Sequence, residues 1–304
     1  MLDDIRIFVE VVKAGSFTGA AQTLSLSRSL ISKKLTALEG SLGIRLLNRT
    51  TRRLSLTEAG EHFYHNCRSG LLAIDEAVDQ IHSMSSEPRG KLYVNLPVSF
   101  GVTHIAPLIP EFLEKYPLID IDLHFEDRRV DVIAPGFDVS IRVAEIEDST
   151  LVARKLGVSK LLVVASPEYL KRYGAPSTPQ QLVDGHQIAS FRLQESSLQW
   201  EFENSHGESE MVKLAAKIST DNSLALREIV LGGAGIARIP TFLVGPDVKE
   251  GKLVSLFPGL QVPARPIYAL YPRREYLPSK TKVFLDFMAE KISDPPWWDE
   301  GMNL

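Results

Sequence analysis

The sequence predicts two bodies of different class: a small, mainly α N-terminal module carrying a β-hairpin, then a long helix leading into an α/β body. Three observations predict it. Apolar residues recur at helical spacing through the first 42 residues and again after Thr57. From Lys91 onward, short apolar strands alternate with helical stretches, the pattern of α/β sheets with parallel strands. Charge is also divided unevenly. Seven basic residues between Arg28 and Arg53 face Glu39 alone, a local +6, while the whole 304-residue chain carries −4, so the remainder carries −10. A basic module on an acidic body is the expectation.

Ile5, Phe8, Val9 and Val12 follow the i, i+3, i+4, i+7 pattern, which predicts a helix over residues 4–13 that Gly15 ends. A second short helix spans about 18–24, and its Ala20 and Ala21 let a neighbour approach closely. Ser25-Leu26-Ser27 reads as a tight turn, with Ser27 the N-cap of a third helix running to about Ser41. Ile31, Leu35, Leu38 and Leu42 form its buried stripe, and Ser29, Ser32, Lys33 and Thr36 fall opposite. A face that is short, hydroxylated and cationic suits an anionic groove. The major groove of B-DNA admits one α-helix and offers base edges and phosphates to such groups. In the following stretch, Leu46-Leu47 and Leu54-Ser55-Leu56 read as the two strands of a hairpin. Its tip carries Arg49, Arg52 and Arg53, placed for phosphate contact or minor-groove insertion.

Residues from about Thr57 to Ser86 lack proline, and Ser55…Glu58 fits a capping pattern. Phe63, Cys67, Ile74, Val78 and Ile81 recur near a 3.5 spacing, the seam of a helix with a partner helix. Ser85-Ser86-Glu87-Pro88-Arg89-Gly90 reads as a hinge. Cys67 is the one cysteine, so no intrachain disulfide can form. His62 and His65 lack the spacing and partners of a metal site.

The stretch FVEVVKAGSFTGAAQTLSLSRSLISKKLTALEGSLGIRLLNRTTRRLSLTEAG resembles the winged helix-turn-helix of LysR-type transcriptional regulators, without a gap. The resemblance implies that the third helix reads the major groove and the wing flanks it. Ser27, Arg28, Ser32, Lys33, Arg49 and Arg52 match family DNA-contacting positions. With Ser29, Thr36 and Arg53 they make the candidate DNA-binding set. Arg28 stands where glutamine is common and Ser29 where proline is common; an arginine there favours guanine O6 and N7. Dimerisation through the long helix is implied as well, with two reading heads on an interrupted inverted repeat of double-stranded DNA. A homodimer or homotetramer is therefore expected, and RNA polymerase is a further partner the resemblance allows.

The resemblance continues through LPVSFGVTHIAPLIPEFLEKYPLIDIDLHFEDRRVDVIAPGFDVSIRV, similar to a LysR-type effector domain. The full expectation is an N-terminal winged helix-turn-helix (mainly α), a long linker helix, and an α/β two-lobed, periplasmic-binding-protein-like effector domain. The boundaries fall at 1–58, 59–90 and 91–292, with lobe I at 91–162 and 268–292, lobe II at 163–267, and a tail at 293–304. A small-molecule effector is then expected in the interlobe cleft, at strand ends and helix N-termini. Val98-Ser99-Phe100-Gly101 precedes one helix, and Asp221-Asn222-Ser223 opens another. Two helix N-termini facing one cleft favour an anion. Ser99 and Asn222 match family effector positions; Phe100, Arg128, Arg142 and Phe191 complete the candidate pocket.

No catalytic constellation emerges. Gly232-Gly233-Ala234-Gly235 closes a helix and opens a strand, the reverse of a dinucleotide-binding order. Ser279-Lys280-Thr281-Lys282 matches S-x-x-K without its companion motifs. His104, His124, His186 and His206 show no ligand spacing. The expectation is a non-enzyme with no cofactor, no metal and no membrane segment, working in the cytoplasm. A solute-binding protein and an enzyme with an appended helix-turn-helix are the competing readings. The missing leader segment and the basic wing oppose the first, and the missing catalytic set opposes the second. The tail PPWWDEGMNL, with adjacent Trp297 and Trp298, has no account from the sequence.

Overall fold

The computed structural model describes residues 1–302 apart from 50–53, 84–86, 128–136, 145–150, 193–197, 205, 274–276 and 293–295, and apart from the side chains of 49, 69, 72, 73 and 75–83. The described chain divides into two compact units, the first 86 residues and those from Glu87 onward.

The first unit runs α1 (Leu2–Ala14), α2 (Phe17–Thr23), α3 (Arg28–Leu42), β1 (Leu47–Arg49), β2 (Leu54–Leu56) and α4 (Glu58–Ser83). Gly15 closes α1 in the left-handed region at φ 63°, where a side chain would be strained. Ser16 caps α2, its hydroxyl accepting from the Gly19 amide. Ile7, Phe8, Val11, Ala20, Ile31, Leu35, Leu38, Leu46 and Leu47 form one small core. Leu42, expected on that stripe, is 41% exposed, because α3 outruns the core it packs on. The wing strands pair antiparallel, Leu47 opposite Leu56.

The long helix differs from expectation at its start. Thr57, not Ser55, caps α4: its hydroxyl accepts from the Gly60 amide at 2.9 Å and donates to the Arg45 carbonyl at 2.8 Å. One threonine thus fixes helix, wing and α3 exit together. Phe63, expected in a partner seam, meets Phe8 at 5.5 Å inside the unit's own core. Ile74 is exposed, and Val78 and Ile81 lie outside the described side chains; of the expected hinge, Ser85 and Ser86 lie outside the described residues. Burial pushes the half-buried Cys67 thiol above its ordinary value, away from thiolate chemistry.

The second unit holds a five-stranded sheet built from β3 (Gly90–Leu96), β4 (Ile119–Phe125), β5 (Val139–Val143), β6 (Leu151–Ser159) and β14 (Arg265–Pro272). Their order is β4-β3-β5-β14-β6. β4 and β5 run parallel to β3, as expected, whereas β14 runs antiparallel to both neighbours. The departure arises because β14 is the strand that returns from the second lobe. That lobe contains β7 (Leu161–Ala165), β12 (Ala237–Pro240) and β13 (Val254–Ser255) in the order β12-β7-β13. It also holds the parallel pair β8 (Ile188–Phe191) and β11 (Ala216–Thr220), and the hairpin β9 (Gln199–Glu203) with β10 (Ser209–Lys213).

Helices cover these sheets. α5 is a continuous helical run that changes pitch: Val98–Phe100 α, Gly101–Ile105 π, Ala106–Leu108 3-10, then Ile109–Lys115 α. α6 (Pro167–Tyr173), α7 (Ser223–Leu231), α8 (Thr241–Lys249) and α9 (Ser279–Lys291) follow. β6, β9, β10, β11, β13 and α8 escape the sequence reading. β6 carries Arg154 and Lys155 in mid-strand, and α8 contains Gly245-Pro246, ordinarily a breaker pair. Gly245 lets the tail approach closely there, since a Cβ would sit 3.1 Å from the Trp298 carbonyl oxygen.

Gly60 makes the sharpest demand in the first unit: a Cβ there would lie 2.0 Å from the Leu46 carbonyl oxygen. Gly60→Ala is expected to destabilise this unit by at least ~1 kcal/mol through overpacking, read as a lower melting temperature by circular dichroism. Gly40→Ala, in α3 with nothing within 4 Å, is the matched control and is expected to be neutral or stabilising.

Candidate functional sites

The first candidate is the outward face of α3. Ser27 starts the helix: its Oγ accepts from the Leu30 amide at 3.2 Å and shares a 3.0 Å bond with Ser29 Oγ. Arg28, Ser29, Lys33 and Thr36 are exposed, and Ser32 is half-buried. Thr36 donates its hydroxyl proton to the Ser32 carbonyl at 2.9 Å, so toward a ligand it presents acceptor lone pairs and a methyl group. The two adjacent lysines divide. Lys34 pairs with Asp4 of α1 at 2.9 Å, a contact that raises the lysine and lowers the carboxyl from their ordinary values. Lys33, one residue earlier, projects outward. Arg49 sits at the end of β1 with its side chain outside the described set, and Arg52 and Arg53 lie outside the described residues altogether.

Two further contacts hold this face in place. Glu39 accepts from the Leu46 and Leu47 amides at 2.9 and 3.2 Å, tying α3 to the first wing strand. The Lys34–Asp4 pair ties it to α1. The single acid within the basic stretch is thus used internally.

The second candidate is a cavity of about 140 Å³ in the second unit. It opens where strand ends of the first sheet meet β7, α7 and β12. Ser99, Phe100, Arg142 and Phe191, all expected there, line it. Asn222 does not: its side chain accepts from the Ala225 amide at 3.0 Å as the cap of α7, and Ser223 takes its place at the lining. Arg128 lies outside the described residues.

The lining also contains charges that the sequence reading missed: Arg238, Arg265, Glu126 and Asp127. Arg142 donates from Nη1 to the Asn95 side-chain oxygen at 3.1 Å and to the Ile141 carbonyl at 2.8 Å. Burial lowers its pKa, against the attraction of Glu126 and Asp127. Asp127 accepts from the Val98 amide at 2.8 Å, yet burial raises its pKa from its ordinary value. Burial, reinforced by Arg265, brings Arg238 down to about 10. Its guanidinium lies 5.6 Å from the Trp200 ring centre. The available signal for Arg238 was a charged residue inside the apolar strand GIARIP, between buried Ala237 and Ile239.

The tail acquires a role here. Phe100, part of the cavity wall, stacks on His104 at 5.2 Å and meets Trp298 edge-on at 5.7 Å. Phe242, also in the wall, packs on both His104 and Trp298, and Trp297 stacks on the other side of His104 at 5.1 Å. The tail therefore backs the cavity with an aromatic layer.

The family described as "Bacterial regulatory helix-turn-helix protein, lysR family" matches residues 2–61, and the "LysR substrate binding domain" matches 85–293. The regulator PtxR of Pseudomonas aeruginosa is 34% identical over 296 residues, 97% of this chain and 94% of its own. The full-length structure of AphB, a virulence activator of Vibrio cholerae, has a TM-score of 0.65 at 32% identity, covering 95% of this chain and 99% of that one. CrgA of Neisseria meningitidis gives 0.61 at 34% identity, covering 95% and 97%.

Two predictions arise from these sites. Arg28→Ala combined with Lys33→Ala is expected to weaken specific DNA binding at least tenfold in a gel-shift titration, since one bidentate arginine–guanine pair alone discriminates by roughly 1–3 kcal/mol. The second concerns acid. His104 is buried and held down to about 4, against 6.5 ordinarily. Between those values the unfolded chain takes up a proton that the folded one refuses, so stability is full above pH 6.5 and falls as pH drops toward 4, by up to about 3 kcal/mol. Calorimetric melts at pH 7 and pH 4.5 are expected to diverge less in His104→Phe than in the parent.

Proposed function

The chain belongs to the LysR family of bacterial helix-turn-helix transcriptional regulators, and on that premise we propose how its parts divide the work. It is a DNA-binding regulator. Residues 1–58 form the reading head, 59–90 the connector through which copies associate, and 91–292 the unit that senses a small molecule. Ser27, Arg28, Ser29, Ser32, Lys33 and Thr36 meet the major groove, while Arg49, Arg52 and Arg53 of the wing meet the flanking backbone. A dimer or tetramer sets two heads on an interrupted inverted repeat in the cytoplasm, where RNA polymerase reads the outcome.

The observation that carries this reading is the two-sided α3, whose Ile31, Leu35 and Leu38 are buried and whose Arg28, Ser29, Lys33 and Thr36 are exposed. In the second unit, a cavity with three arginines and three serine hydroxyls supports a small anionic effector. Its occupancy biases how the associated copies sit on DNA, by no more than its differential affinity for the two arrangements. Among the described residues no helix is long and apolar enough to cross a membrane.

Mapping bound genomic sites in cells and titrating one of them by gel shift tests the reading. Log affinity is expected to fall linearly with log salt, by about 0.9 for each phosphate neutralised. Arg52→Ala with Arg53→Ala is expected to shallow that slope by one to two such steps and leave base preference unchanged. Affinity equal for bound and scrambled sites would contradict it.

A further inference from the structure

One exposed side chain in the first turn of α3 has no polar group to offer. Leu30 is the third residue of that helix and is 39% exposed. It belongs neither to the small core of the first unit nor to the apolar residues packed against that core. Its amide donates to Ser27 Oγ at 3.2 Å, so the backbone of this turn is tied to the cap and the side chain alone is presented. Successive residues turn about 100° round a helix, which sets Leu30 about 60° from Lys33 and about 20° from Ala37. Ala37 and Gly40, both exposed, continue that line toward the C-terminus with little or no side chain. Ser32, on the other shoulder of the same face, is half-buried, so Leu30 stands further out than a residue already assigned to the DNA.

What a leucine can meet in a major groove is limited. Base edges there present acceptors at guanine N7 and O6, adenine N7 and thymine O4, and donors at cytosine N4 and adenine N6. A leucine pressed against any of these strips water from a polar group and returns no hydrogen bond. The 5-methyl group of thymine is different: contact there takes apolar surface of both partners out of water. A recognition helix meets base edges with its N-terminal residues, so the turn holding Arg28, Ser29 and Leu30 is the one offered to the bases.

We propose that Leu30 is a specificity-determining residue, which reads a thymine of the bound site by packing against its 5-methyl group. This rests on the DNA-binding reading above and deepens it by naming a base. The contact is uncharged and touches no phosphate, so it adds sequence preference without adding to the salt dependence of binding. It separates thymine from the other bases by one methyl group, where Arg28 and Lys33 act through hydrogen bonds and charge.

The test uses the full-length protein and duplexes carrying one genomically mapped site, titrated by gel shift. Each thymine of the site is replaced in turn by deoxyuridine, which keeps the base pair and removes only the methyl group. The parent is expected to bind at least one such duplex roughly fourfold more weakly, the effect of one apolar carbon returned to water. In Leu30→Ala that ratio is expected to fall to near one with the salt slope unchanged. In Leu30→Met, an apolar side chain of similar volume, it is expected to persist. A parent indifferent to deoxyuridine at every thymine overturns the assignment and leaves the DNA-binding reading standing. So does a sensitive thymine whose ratio survives in Leu30→Ala. A Leu30→Ala protein that keeps the parent's circular dichroism yet binds mapped and scrambled duplexes alike gives Leu30 a part in building the head, and overturns the assignment as well. If the parent itself does not distinguish mapped from scrambled duplexes, the DNA-binding reading falls and takes this inference with it.

Discussion

The first unit depends on one packing constraint: a 15-residue helix has to bury Ile31, Leu35 and Leu38 against a core built from only a few other side chains. Those three positions share one side, so burying them fixes the helix's rotation about its axis. Ser29, Lys33 and Thr36 are then turned outward by the helical repeat alone. Rotation is not yet position, and polar contacts supply that. Lys34 anchors the helix to α1 through Asp4, and Glu39 anchors it to the wing through two amides. The first anchor uses a lysine that a count of charges would assign to the DNA. The surface ion pair is worth little in stability; its effect is to separate Lys34 from Lys33 and leave the second available.

The second unit is organised by the opposite constraint, charge held where water is scarce. Burying arginines is unfavourable unless something compensates. Arg142 is compensated within the protein by Asn95, the Ile141 carbonyl and two nearby carboxylates. Arg238 rests over the Trp200 ring and feels Arg265. The aromatic layer of His104, Trp297 and Trp298 stands behind Phe100 and Phe242, packing the wall of the cavity from its far side. The cavity lining draws on strands of the five-stranded sheet and on α7 together.

The sequence made the reading head almost wholly legible. Its information is local: a cap at Ser27, a glycine at position 15, and an apolar stripe with a helical period. Where it misled, the cause was tertiary. Phe63 looked like a seam residue because its spacing fits, but α4 begins inside the module and gives Phe63 to Phe8. Leu42 matched the stripe beyond the reach of the core. The cavity was half legible. Ser99 and Phe100 follow a strand and open a helix, which is a local signal. Arg238 and Arg265 lie in sequence stretches far from Ser99: Arg238 reaches the cavity from β12, and Arg265 from the start of β14, the strand that returns from the second lobe. Asn222 carried a cap signal and a site signal at once, and the cap prevails. The Trp297-Trp298 pair meant nothing until Phe100 and His104 stood beside it.

The most direct measurement of the central claim is the structure of the full-length protein bound to one of its own operator duplexes. The account predicts α3 in the major groove, with Arg28 and Lys33 within hydrogen-bonding distance of bases or phosphates and Lys34 still on Asp4. A complex in which the Ser29–Lys33–Thr36 face points into solvent while another surface contacts the DNA would contradict it.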